Sequence, residues 1–348
     1  MTGKLKDSKV IVEDEKEGNR IYNKGYFGKP LSGGGLELNL LEAVYLSEAD
    51  RLDIEDEDGN ILTLADMIQY ISDNRFLIKY PVYKDMRMRG YVVKKASDPV
   101  NFRVFPRGGA PGKTQTKYWI RANTETDTFS IKKILGTLKK VENLKKIFLQ
   151  GLVDEEGDVT YYKITTIDLK GETSKTSLND LKGKQYNNKI IIEDEKSERL
   201  HDDNFYGDYK NNRLNISILE ALYLSEIDAL TVRDGFKKSK LSTDDVLHQG
   251  INTQDNFELR YDIYKDLRSR DLVPKTGFKY GAVFRAYEGD PDEHHAEYIV
   301  QPIPEDYKCS WYEISRAVRV AHSVKKKFLF GIKKGEDIKY VKINRVTP

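Results

Sequence analysis

Cysteine is almost missing from the 348 residues: Cys309 stands alone, so no internal disulfide and no cysteine metal cluster can form. A single thiol fits a reducing, intracellular setting, and a cytoplasmic location is expected. No apolar run approaches the ~20 residues of a membrane span. Met1-Thr2-Gly3-Lys4-Leu5-Lys6-Asp7 lacks the apolar core of a signal segment, and no membrane partner is expected. Charge imbalance is missing too. With 58 Lys and Arg against 56 Asp and Glu the net charge is +2, so only local clustering can point to an anionic partner. There is no Gly-rich phosphate loop, no His-Glu-x-x-His zinc pattern and no Gly-x-Ser-x-Gly elbow. Neither a metal nor a cofactor is expected.

In place of such motifs the chain has internal repetition. Lys9-Val10-Ile11-Val12-Glu13-Asp14-Glu15-Lys16 returns as Lys189-Ile190-Ile191-Ile192-Glu193-Asp194-Glu195-Lys196. Leu41-Glu42-Ala43-Val44-Tyr45-Leu46-Ser47-Glu48 returns as Leu219-Glu220-Ala221-Leu222-Tyr223-Leu224-Ser225-Glu226. Tyr83-Lys84-Asp85-Met86-Arg87-Met88-Arg89 returns as Tyr264-Lys265-Asp266-Leu267-Arg268-Ser269-Arg270. The offsets stay between 178 and 181, one register held too long for chance. The chain reads as a tandem duplication of a unit of roughly 160 residues, the size of an ordinary domain. Residues 1–172 form the first repeat and 189–348 the second, with 173–188 as a polar linker where hydrophobic periodicity lapses. The second repeat divides into a front part at about 189–272 and a back part at about 273–348.

Both units predict the same elements. A β-rich start (10–12, 190–192) precedes a helix on which Ile218, Leu219, Leu222 and Tyr223 share a face, capped by Asn215 or Ser217. A short helix is expected near 64–71 and near 243–248, and a longer one over 256–270. The counterpart of that longer helix carries Pro81, which is expected to shorten or kink it. Strands at 101–105 and 117–121 match 282–287 and 297–302. Ser310-Trp311-Tyr312-Glu313 has the capping-box pattern of a further helix, with Ser130 at the same place in the first unit. Strands at 326–332 and 338–343 match 146–153 and 159–164. The class is α+β: a duplicated two-part unit, helical or mixed in front, with a mixed β-sheet and flanking helices behind.

The two back parts differ in chemistry. Tyr287 aligns with Phe105, His295 with about Gln115, and Lys326 with Lys146. The apolar positions are kept in both, whereas the phenol and the imidazole occur only in the second. Residues 319–345 carry nine Lys or Arg and two acids; the matching residues 139–165 carry five of each, four of those acids within 154–158. A basic surface of this density attracts phosphate backbones.

Each residue also has a plainer use. A strand tyrosine packs, a Lys-Lys-Lys run is a solvated edge, and His294 and His322 read as bystanders. Were the anion RNA, the substrate would bring its own nucleophile, the 2′-hydroxyl. Cleavage then needs a base, an acid for the leaving 5′-oxygen and positive charge at the phosphorus. Tyrosine, histidine and lysine can divide those roles without metal. Histidine suits acid or base work near neutrality, while tyrosine, at ~10, needs nearby positive charge to serve as a base. These residues alone leave two readings: a basic α+β repeat protein with a ribonuclease site, or a non-catalytic RNA-binding or assembly subunit. A metal-dependent DNA nuclease fits less well, because the carboxylates cluster in loops and in the copy without the tyrosine and histidine.

Four pieces of the second repeat match one family. They are Gly277-Phe278-Lys279-Tyr280-Gly281, Phe284-Arg285-Ala286-Tyr287-Glu288-Gly289-Asp290-Pro291, His295-Ala296-Glu297-Tyr298-Ile299 and Arg319-Val320-Ala321-His322-Ser323-Val324-Lys325-Lys326. In order, spacing and context the chain resembles the archaeal tRNA-splicing endonucleases, of the type built as homodimers of two-repeat chains. The resemblance implies Tyr287 as general base, His295 as general acid and Lys326 as stabiliser of the phosphorane. Lys325, the rival for that last role, joins Arg319 and Arg345 as an RNA contact, the two arginines clamping a bulged base by cation–π stacking. It implies precursor tRNA as partner, cut at both intron ends within a bulge-helix-bulge, with 2′,3′-cyclic phosphate and 5′-hydroxyl products. It further implies that Asp154, Glu155, Glu156 and Asp158 form an acidic loop docking into a basic cleft of a second copy of the chain. The first repeat departs from the pattern at Phe105 and Gln115, so it is expected to be structural.

Overall fold

The computed structural model describes residues 1–71, 73–173 and 179–348. Its described residues form two five-stranded sheets, one ten-stranded sheet and a two-stranded ribbon, with helices packed on them. No helix among the described residues is long and apolar enough to cross a membrane.

The front part of each repeat holds one five-stranded sheet. In the first, Thr2–Lys6 pairs antiparallel with Lys9–Val12 and parallel with Asp53–Glu55. In the second, Leu181–Tyr186 pairs in the same way with Lys189–Ile192 and Leu230–Asp234. This strand lies inside 173–188, the segment expected to be a linker. Of that segment, 174–178 lies outside the described residues. The strand was hidden because its inward positions are Leu181, Gly183 and Gln185, alternating with exposed lysines. Gly183 is inward for want of room: a Cβ there would sit 2.7 Å from Ile190 Cγ2, as one at Gly3 would sit 2.6 Å from Val10 Cγ1. The helix before the last strand of each sheet starts at a full capping box. Ser217, rather than Asn215, accepts from the Glu220 N–H while the Glu220 carboxylate returns to the Ser217 N–H.

Next come two helices of equal length, Phe76–Met88 and Phe257–Ser269, 13 residues each. Pro81 therefore does not shorten its helix. The bond it forgoes would go to the carbonyl of Leu77, a residue 67% exposed, so water can serve that carbonyl.

The back parts merge into the ten-stranded sheet. Each contributes five strands, and they meet where Val159–Ile167 runs antiparallel to Asp337–Val346. Ile164 faces Ile343 at the centre of that seam, and both are equally placed in their repeats, opposite Phe148 and Phe328. The sheet thus has a pseudo-twofold axis through this pair. The helices Ile131–Asn143 and Trp311–Ser323 share one core with Phe148, Ile164, Ile299, Phe328 and Ile343. Phe76–Met88 and Phe257–Ser269 pack on the opposite face, one in each of two other cores. A ribbon of Thr128–Ser130 with Lys308–Ser310 crosses the axis, and Phe129 meets the Trp311 ring edge-on at 4.9 Å. Ser310 caps its helix with a full box, whereas Ser130 makes no side-chain cap bond. The reciprocal half of the box depends on the third helical position, where Glu313 can return a bond and Lys133 cannot.

Candidate active site

Three elements of the second repeat bring the expected residues together. Tyr287 ends the strand Phe284–Tyr287, opposite Val273 on the sheet's edge strand. His295 stands in the extended approach to the strand Tyr298–Ile303. Lys326 directly precedes the strand Lys327–Lys334, the parallel neighbour of Tyr298–Ile303.

The loop between Tyr287 and His295 is pinned at its base. The Glu288 N–H donates to the Glu297 carboxylate at 2.9 Å, and the Tyr298 hydroxyl donates to the Glu288 carboxylate. A turn inside the loop is closed by His294 N–H to the Asp290 carbonyl, 2.9 Å. A chain pinned this way holds its ends at a set separation, which acid–base work requires.

Lys326 is aimed by the helix end before it. The helix Trp311–Ser323 stops at a left-handed residue, Lys325 at φ 56°, and the Lys326 N–H returns to the Ala321 carbonyl at 2.8 Å. The chain then enters the sheet, with the Lys327 N–H on the Glu297 carbonyl at 2.8 Å. Lys326 is half-buried, and its Nζ donates to the Ala296 carbonyl at 2.7 Å, 5.7 Å from the centre of the Tyr280 ring. Lys325 is exposed.

Ala296 is the common point. Tyr287 packs with the Ala296 side chain and with Val273 and Phe205, Lys326 bonds the Ala296 carbonyl, and His295 is the residue before it. Tyr287 is 6% exposed and His295 is exposed. Burial pushes the Tyr287 phenol above its usual 10; Arg285 pulls it down, and Tyr280, Asp292 and Glu297 push it further up.

The remaining expected residues lie on other elements. Arg319 is exposed on the helix Trp311–Ser323. Arg345 is exposed near the end of Asp337–Val346, on the same sheet face as Ile343 and Val341. Continuing the Phe328–Ile343 register by two residues sets Arg345 opposite Lys326. Asp154, Glu155, Glu156 and Asp158 form the exposed tip of the hairpin joining Ile147–Val153 to Val159–Ile167. Asp154 Oδ1 accepts the Glu156 and Asp158 N–H groups at 3.1 and 2.9 Å, and none of the four carboxylates forms an ion pair among the described residues.

The first repeat shows the same frame with other side chains. Lys145 is left-handed at φ 53°, as Lys325 is. Lys146 Nζ donates to Gln115 Oε1 at 2.7 Å, so the amide takes the place that the alignment gives to His295. Phe105 is buried where Tyr287 stands. Three contributors were not singled out from sequence: Arg285, Tyr280 and the Ala296 carbonyl. Arg285 is matched by Arg103 in the first repeat and therefore escaped a search for differences.

Known families match both halves of this arrangement. The family model for the tRNA intron endonuclease N-terminal domain matches residues 1–68 and 181–247. That for the tRNA intron endonuclease catalytic C-terminal domain matches 76–161 and 257–340. The chain is 35% identical to the tRNA-splicing endonuclease of Methanococcoides burtonii over 99% of both chains. It is 37% identical to that of Methanosarcina mazei over 98% of both, and 30% identical to that of Halobacterium salinarum over the whole of both. With both of its domains present twice in one chain, and with full-length relatives at this level, the protein belongs to the tRNA intron endonuclease family.

Proposed function

We propose that this endonuclease excises introns from precursor tRNA by cutting both ends of a bulge-helix-bulge, acting as a homodimer with one active site per chain. Tyr287 takes the proton from the 2′-hydroxyl. The 2′-oxygen bonds to the adjacent phosphorus, the bond from phosphorus to the 5′-oxygen breaks, and His295 gives that oxygen a proton. The products are a 2′,3′-cyclic phosphate and a 5′-hydroxyl. Lys326 faces the charge that builds on the phosphorane; one of its three donors is engaged with Ala296, leaving two for phosphate oxygens. Arg319 and Arg345 flank the site as the clamp for a bulged base, with Lys325 as a further phosphate contact. The exposed carboxylates of 154–158, without an ion pair among the described residues, are the docking loop for a second copy.

The observation that carries this reading is the convergence of Tyr287, His295 and Lys326 on Ala296 in one repeat, beside a counterpart in which two of the three are replaced. The test is intron-containing precursor tRNA incubated with the protein and excess chelator. Cleavage at both splice sites to a cyclic phosphate is expected. A requirement for divalent metal, or wild-type rates in each of Tyr287→Phe, His295→Ala and Lys326→Ala, would overturn the mechanism. Binding without cleavage would identify a non-catalytic subunit instead.

A further inference from the structure

Arg285 stands two residues before Tyr287 on the same strand, so both point to one face of the sheet. Its guanidinium carbon lies 5.5 Å from the centre of the Tyr287 ring. Its Nε is buried without a hydrogen-bond partner among the described residues. Buried donors are ordinarily paired, so a half-buried arginine that keeps this one without an acceptor calls for a reason.

The first repeat supplies the contrast. Arg103 pairs in register with Trp119, and its guanidinium carbon sits 4.7 Å from the indole, an exposed cation–π contact of the ordinary kind. In the second repeat the residue in register with Arg285 is Ile299. The indole is gone, and the ring within reach is Tyr287, which stands where Phe105 does. Two exchanges between the copies have therefore moved one conserved arginine from a ring that cannot ionise to a ring that can.

We infer that Arg285 is a positioning residue of the site, the cation that keeps the Tyr287 phenol usable as a base. This rests on the reading of Tyr287 given above. Of the charged and titratable groups around Tyr287, Tyr280, Asp292 and Glu297 act against the ionised phenol, as burial does; Lys326 is held on the Ala296 carbonyl and His295 is exposed. Lys275, in register with Arg285 on the edge strand, has its Nζ tied to the Gly207 carbonyl at 2.9 Å. Arg285, with its guanidinium carbon 5.5 Å from the ring, is the cation that opposes them at the phenol.

The reactive form holds a tyrosinate and an imidazolium together. Between their two titrations its fraction is constant with pH and falls as those titrations separate. Removing Arg285 therefore lowers the level part of the pH–rate profile and moves its alkaline break upward by the same factor. A tenfold loss of rate accompanies one pH unit of movement. A residue that only supports the fold lowers the rate and leaves the break in place.

The experiment compares wild type, Arg285→Met, Arg285→Lys and Tyr287→Phe in single-turnover cleavage across pH. The Tyr287 phenol is titrated alongside by NMR of protein labelled at tyrosine Cζ, with Tyr287→Phe giving the assignment. The expected result is a plateau about tenfold or more lower in Arg285→Met, an alkaline break and a Tyr287 titration moved up in step, and partial recovery in Arg285→Lys. If Tyr287→Phe cleaves like wild type, the reading of Tyr287 itself fails. If Tyr287→Phe is inactive while Arg285→Met leaves both break and titration unmoved, that reading stands and the inference about Arg285 is overturned.

Discussion

The two repeats share a frame and differ in what the frame carries. Both have a front sheet, a pair of helices, five strands of the large sheet and a lysine after a left-handed turn. Lys94 donates to the Gly28 carbonyl just as Lys275 donates to that of Gly207, at 2.8 and 2.9 Å. Against that shared background the second repeat has Tyr287, His295 and a basic surround, and the first has Phe105, Gln115 and an acidic hairpin tip. Because the frame survives without the phenol and the imidazole, packing does not demand them. The copy without the phenol and the imidazole still has a lysine, Lys146, and its partner is the neutral Gln115.

The largest effect tests the catalytic side of this contrast. His295→Ala or Lys326→Ala should slow cleavage by about 10²–10⁴-fold, while Gln115→Ala and Lys146→Ala leave the single-turnover rate unchanged. Transplanting Phe105→Tyr with Gln115→His into a Tyr287→Phe, His295→Ala chain sharpens it further. No cleavage is expected, since residues 139–165 lack the basic excess of 319–345. Recovered cleavage would show that the frame alone suffices. Next in size is assembly. Neutralising Asp154, Glu155, Glu156 and Asp158 together should convert a dimer into a monomer by light scattering and depress cleavage most at low protein concentration; an unchanged mass removes the docking role.

Smaller effects concern stability. Burial pushes the Asp127 carboxyl up, but Arg75, at 2.6 Å, with Asn123 and the Thr124 N–H, outweighs it and holds the group at about 2. The counterparts in the second repeat are Tyr307 and Asn256, which form no such pair. A depressed folded value means stability that is present above the ordinary carboxyl range and lost as pH falls toward 2. The stability gap between wild type and Asp127→Asn in denaturant titrations should hold steady above about pH 4 and close near pH 2; a gap that does not vary with pH assigns the effect to hydrogen bonds alone. The smallest contrast is at the caps. Ser310→Ala should cost about 1 kcal/mol, and Ser130→Ala, which breaks no side-chain cap bond, close to nothing; equal losses would deny the difference.

Much of this was legible in the chain. Helices with one apolar face and a capping box announce themselves, as at Ser217 and Ser310, because periodicity and cap chemistry are local. The site was legible through comparison of the copies, since a difference on a retained frame isolates Tyr287 and His295. What escaped had physical cause. The strand Leu181–Tyr186 read as linker because close approach, not hydrophobicity, selects Gly183. Pro81 was expected to shorten or kink its helix because its solvent-side position is not written in the sequence. Arg285 was passed over because it is present in both copies and only its partner changes.

The sequence by itself determined the duplication, the elements of each unit and the residues able to do acid–base chemistry. All follow from spacing and side-chain type, read along one repeat or between the two. Only the tertiary structure decided that the two sets of five strands join into one sheet at Ile164 and Ile343. Edge strands pair through backbone groups that every residue carries, so side chains do not spell out the partner. For the same reason only the fold showed Ala296 as the meeting point: its part is played by a carbonyl and a methyl, and the Lys326 that reaches it lies thirty residues further along the chain.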